Sequence, residues 1–98
     1  MNRNDVLDFL REQKPLLEKE YHIDILGLFG SFARNEQNQE SDIDIVYSTP
    51  KGSGLSFFQI VKLENELQHH FNRKVELVNF KYLNPLIKYK AEKEIVYV

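Results

Sequence analysis

Apolar residues near the start of the chain recur at helical spacing. Val6, Leu7, Phe9, Leu10, Leu16, Leu17 and Tyr21 fall close to one stripe, which predicts a helix over residues 4–20. Asn2 or Asn4 can supply the oxygen that caps its first amides. Pro15 lacks an N–H donor and predicts a kink or the start of a second helical segment. The pattern then changes. Residues 23–29 (IDILGLF) are apolar and partly β-branched, as a strand requires, and 35–40 (NEQNQE) are polar, as in an exposed loop. A second strand is predicted over 42–48, then a turn-rich loop over 49–54 (TPKGSG). A second long helix follows over 55–71, with Ser56 as a cap and Phe57, Phe58, Ile60, Val61, Leu63, Leu67 and Phe71 apolar. Asn72 and Arg73 turn the chain into a third strand over 74–80 (KVELVNF). Asn84-Pro85 opens a final helix that runs to Glu92 or Lys93, with Pro85 suited to its first position. Residues 95–98 are a short apolar, extended end.

This order predicts an α+β fold, a small mixed sheet of three to four strands flanked by helices. The 98 residues hold one domain, 1–98, with one modest core. The net charge of −2 and pI of about 5.9 give no global basic field, which argues against nucleic acid as a direct partner. Without cysteine there is neither a disulfide nor a thiolate metal site. No apolar run approaches the roughly 18 residues of a membrane span. No signal-peptide pattern opens the chain, so a cytoplasmic location is expected. The chain is small for an enzyme with its own acceptor-binding domain, which points to a partner and a hetero-oligomer.

The chemistry concentrates in residues 30–47. Asp42 and Asp44 lie two apart, so in a strand they share a face, with Ile43 and Ile45 on the other. Two adjacent carboxylates repel and resist desolvation, so a core has no use for them. Mg²⁺ resolves the repulsion; it usually takes one or two carboxylates alongside substrate phosphates. Gly30 and Ser31 end the first apolar strand, and residues 31–34 can start a short helix. A glycine lets backbone approach a ligand, and a helix start offers free N–H groups to an anion. Glu76 is the only acid within the third strand, flanked by Val75 and Leu77. Beside the second strand it joins Asp42 and Asp44, and three carboxylates suit two-metal phosphoryl or nucleotidyl transfer. Glu76 can also take the proton of the attacking hydroxyl.

Gly30-Ser31-Phe32-Ala33-Arg34, a polar spacer, and Ser41-Asp42-Ile43-Asp44-Ile45-Val46 together resemble the signature of the polymerase β-like nucleotidyltransferases. Small size and the ending Glu94-Ile95-Val96-Tyr97 are most similar to the minimal nucleotidyltransferase (MNT) group, which includes antitoxins paired with HEPN-domain ribonuclease toxins. The resemblance implies a nucleotide-binding role for Gly30 and Ser31, and a metal-binding and catalytic role for Asp42, Asp44 and Glu76. It implies ATP as substrate, two Mg²⁺ ions as cofactor, and transfer of AMP to a tyrosine of a partner HEPN toxin. The chain departs from the family at two positions. Asn35 stands where Gly is common, and Asn tolerates left-handed backbone better than most residues. Glu76 stands where Asp is common and is one methylene longer.

Plainer readings compete at each position. Asp42 and Asp44 can be a solvated strand end, Gly30 and Ser31 an ordinary turn, Glu76 an edge-strand acid facing water. Arg34 either touches phosphate or pairs with Glu36 or another acid to brace the turn. His69 and His70 sit at a helix end, where cations are favoured. Lys81, Lys88, Lys90 and Lys93 form a solvated face or a contact with partner or ATP. The alternatives to an AMP-transferring antitoxin are a non-catalytic antitoxin that covers its toxin and an enzyme that modifies a small molecule.

Overall fold

The computed structural model describes residues 1–50 and 54–98. Half of the predicted loop over 49–54, residues 51–53, lies outside the described residues. Helix α1 (Arg3–Tyr21) starts at Asn2, whose side chain accepts from the Asp5 amide while Asp5 accepts from the Asn2 amide. This reciprocal capping box satisfies two amides that helix geometry leaves without partners. No second segment begins at Pro15; the helix runs through it unbroken. Pro15 is exposed, so the carbonyl it leaves without an amide partner can turn to water.

Strands β1 (Asp24–Phe29), β2 (Ile43–Ser48), β3 (Val75–Asn79) and the two-residue β4 (Val96–Tyr97) form one sheet, in the order β3-β2-β1-β4. The β1–β2 and β1–β4 pairs are antiparallel and the β2–β3 pair is parallel. Helix α2 (Phe57–Phe71) makes the crossover to β3, and its Ser56–Gln59 capping box matches the expected start. The third strand ends one residue early: Phe80–Tyr82 form a 3₁₀ turn, capped by the Asn79 side chain. Helix α3 (Pro85–Glu94) follows with Pro85 in its first turn.

Each sheet face carries its own apolar cluster. One packs Val6, Leu10 and Leu17 of α1 and Leu63, Leu67 and Phe71 of α2 against Ile25, Leu28, Ile43, Ile45 and Val75. Complete burial of such a side chain contributes roughly 1.5–3 kcal/mol, so this face carries most of the stability. The other face joins Val46 to Ala91 and Ile95, with Leu26, Phe29, Phe80 and Leu83 at its margin. A bulge between Ile25 and Gly27 makes the division possible. It puts Leu28 on the side of Ile25, and Leu26 and Phe29 on the side of α3, against simple alternation. Gly27 is required for a different reason. A β-carbon there would collide with the Val96 carbonyl oxygen, so the closeness of β4 leaves no room for a side chain.

Candidate active site

The bulge delivers Phe29 opposite Asp44, and Gly30 follows with φ of 78°. A β-carbon on Gly30 would run into the Asp44 Oδ2 atom. Turn and carboxylate are therefore in contact, and only glycine meets both the space and the backbone requirement. The chain beyond forms a single turn rather than the short helix expected. The Arg34 amide donates to the Gly30 carbonyl (3.1 Å), that of Asn35 to Phe32 (3.2 Å) and that of Glu36 to Ser31 (2.9 Å). Asn35 closes the turn at φ 59°, the left-handed geometry that Asn accepts.

Two arginines hold the segment between the turn and β2. Phe32 is fully buried, and the Arg73 guanidinium lies 5.1 Å from its ring centre. The same Arg73 donates to the carbonyls of Asn38 (2.8 Å) and Ser41 (2.9 Å), and Arg3 donates to that of Ala33 (3.1 Å). Asp42 is thus fixed just ahead of β2, one residue short of the strand expected to include it.

In the parallel β2–β3 pair, Asp44 stands opposite Glu76, as the sequence predicts for strands that lie side by side. Burial, then the negative charges of Glu76 and Asp42, push the Asp44 carboxyl up to about 6, against the opposing pull of Arg34 and Lys74. The three acids therefore act on one another. They do not form a closed cage: among the described residues no three His, Cys, Asp or Glu side chains are gathered as ready ligands, and Glu76 is exposed on an edge strand. The donor set still fits Mg²⁺. Its hard oxygen atoms are of the right kind, and one or two carboxylates suffice where phosphates supply the remainder. The mutual repulsion at Asp44 is the cost that a cation relieves.

Arg34 is tied to other acids. It donates to Glu36 (3.2 Å) and to Glu94 at the end of α3 (3.3 Å), which matches the bracing alternative. Lys74 lies outside the residues that the sequence motifs single out. It precedes β3, its carbonyl accepts from the Ile43 amide (2.9 Å), and alternation puts its side chain on the face of Glu76. Its spacing of two from Glu76 was the available signal. Arg73 carried none, because its carbonyl partners lie more than 30 residues away. Of the C-terminal lysines, Lys81, Lys88 and Lys93 lie over the rings of Tyr82, Phe80 and Tyr89. His70 stacks on Phe9 at 3.6 Å, a packing role. A groove of about 370 Å³ adjoins Glu76, lined also by Tyr47, Leu55, Leu77, Asn79 and Tyr82.

Residues 11–98 match the family described as "Polymerase beta, Nucleotidyltransferase". A "putative protein adenylyltransferase" of Methanocaldococcus jannaschii is 39% identical, covering 97% of this chain and 96% of its own. The solved structure of a "putative minimal nucleotidyltransferase" superposes with a TM-score of 0.78 at 22% identity, over 100% of this chain and 97% of that one. A toxin–antitoxin structure with AMP-PNP superposes with a TM-score of 0.62 at 24% identity, over 89% of this chain and 64% of that one. At these identities the two superpositions speak for a shared fold.

Proposed function

The chain belongs to the polymerase beta nucleotidyltransferase family and is a nucleotidyltransferase, and on that premise we propose that it is an antitoxin that transfers AMP from ATP to a tyrosine hydroxyl of a partner HEPN-domain toxin. The observation that carries the reading is the contact of Gly30 with Asp44, which stands opposite Glu76. It sets the Gly30 turn, with its backbone amides, against a carboxylate pair. The relatives named as protein adenylyltransferases and the superposable toxin–antitoxin structures support a protein, and a toxin, as the acceptor. Phe57 and Phe58, 76% and 83% exposed, are an apolar surface of the kind that partners cover.

In this reading the amides after Gly30 and the Ser31 hydroxyl hold the triphosphate, with Lys74 as a nearby cation. Asp42, Asp44 and Glu76 would hold Mg²⁺, which would neutralise the phosphates and favour the ionised acceptor. The acceptor oxygen attacks the α-phosphorus, the bond to the bridging oxygen breaks, and pyrophosphate leaves. Glu76 takes the hydroxyl proton. The groove beside Glu76 offers room for an aromatic acceptor. The test is labelled AMP transfer to the toxin by the Asp42→Ala/Asp44→Ala double variant, whose fold is checked by circular dichroism. The reading requires transfer to be abolished; undiminished labelling would rule it out. If the double variant still protects cells from the toxin, covering the toxin is sufficient for neutralisation.

A further inference from the structure

Strand β3 is an edge strand: β2 covers one side and, among the described residues, no strand covers the other. Exposed edges leave every second amide without a ladder partner. Here two of those amides are taken by side chains of α2. The Val75 amide donates to Gln68 Oε1 (3.1 Å) and the Leu77 amide to Glu64 Oε2 (3.0 Å). These are the amides on either side of Glu76. Glu64 and Gln68 are four apart, so they project from one line on the helix. Of the polar residues of α2 they alone are drawn partly out of solvent. The neighbouring Leu63 and Leu67 are buried in the main core, which fixes the rotation of the helix. The pair is thus built on a rigid support and grips the strand at two points that bracket one side chain.

We propose that Glu64 and Gln68 are positioning residues for Glu76: they hold β3 at the height on β2 where Glu76 stands opposite Asp44. The inference rests on the reading of Glu76 as the third carboxylate of the site. Edge protection alone would explain two side chains that accept from two amides, but it would not tie them to turnover through Glu76. The prediction separates the two. Glu64→Ala removes the acceptor, whereas Glu64→Gln keeps an oxygen at the same length without the charge.

The experiment measures AMP transfer to the toxin by the full chain as kcat and as KM for ATP. Glu64→Ala is expected to lower kcat on the order of 10-fold with KM for ATP within about 2-fold, because a misplaced group slows chemistry while the phosphate turn is untouched. Glu64→Gln should retain kcat within about 2-fold of the parent chain. In a Glu76→Gln background, Glu64→Ala should have no further effect on kcat, since its only route of action is gone. Unchanged kcat in Glu64→Ala, an equal loss in Glu64→Gln, or a full further loss in the Glu76→Gln background would each overturn the proposal. Two readouts do not depend on transfer. Amide exchange at Leu77 should rise in Glu64→Ala and not in Glu64→Gln, and Mn²⁺ affinity should fall in Glu64→Ala only while Glu76 is present. If the parent chain transfers no AMP, the functional reading fails by itself. The positioning role then stands or falls with these two readouts: unchanged exchange or unchanged Mn²⁺ affinity overturns it.

Discussion

Replacing Asp44 by Asn removes one charge from a crowded site and leaves the side chain almost the same size. Burial and the charges of Glu76 and Asp42 hold the Asp44 carboxyl at about 6, against an ordinary 3.8. Taken at face value, the difference makes the ionised form unfavourable in the fold by about 3 kcal/mol. Asp44 is only partly buried, and screening by solvent reduces this to about 1 kcal/mol. The sign follows from linkage. A carboxyl that titrates higher in the fold binds its proton more tightly there, so its contribution is fully present below about pH 3.8 and lost as pH rises through about 6. At pH 7.5 without divalent cation, Asp44→Asn should therefore be more stable than the parent by about 1 kcal/mol, or roughly 4–8 °C in Tm for a domain of this size. At pH 4 the gain should largely vanish. Mg²⁺ at about ten times its Kd should stabilise the parent by about 1.4 kcal/mol and the variant much less, closing or reversing the gap. Thermal melts at both pH values, with and without Mg²⁺, provide the test. A variant no more stable than the parent at pH 7.5, or a gap that ignores pH, would refute the claim that the acids repel one another at Asp44.

Three further substitutions probe how the site is held. Gly30→Ala puts a methyl group against the Asp44 carboxylate at positive φ, and should cost about 2 kcal/mol in urea unfolding and remove AMP transfer. Arg73→Ala loses two hydrogen bonds and the contact with Phe32, and should cost about 2 kcal/mol while raising KM for ATP, since the segment from the turn to Asp42 is released. Asn35→Gly should change urea stability by only a few tenths of a kcal/mol, because the left-handed backbone at Asn35 suits either residue; a loss above about 1 kcal/mol would mean that the Asn side chain is needed.

Local chemistry made much of this legible in the sequence. Asn2, Ser56 and Asn84 each announced a helix start, and each accepts from the amide three residues on. The Asp-x-Asp spacing and the lone acid of the third strand placed Asp44 and Glu76 face to face, because strand alternation and a helical crossover leave few other arrangements. Asn35 adopts the positive φ that its residue type tolerates. The bulge at Leu26 was not legible. Simple alternation would put Ile25, Gly27 and Phe29 on one face, and only the demands of two separate clusters move Phe29 across. Arg73, Glu64 and Gln68 were equally silent. Each acts on backbone distant in sequence, and no local pattern distinguishes a polar side chain that reaches a remote amide or carbonyl from one that meets water.

Mass spectrometry of the proposed partner, an intact HEPN-domain toxin, after incubation with this chain, ATP and Mg²⁺, tests the central claim most directly. The account predicts a toxin heavier by whole steps of AMP, with no gain when Asp42 and Asp44 are both replaced by Ala. A toxin of unchanged mass that nevertheless remains bound and inactive would contradict it.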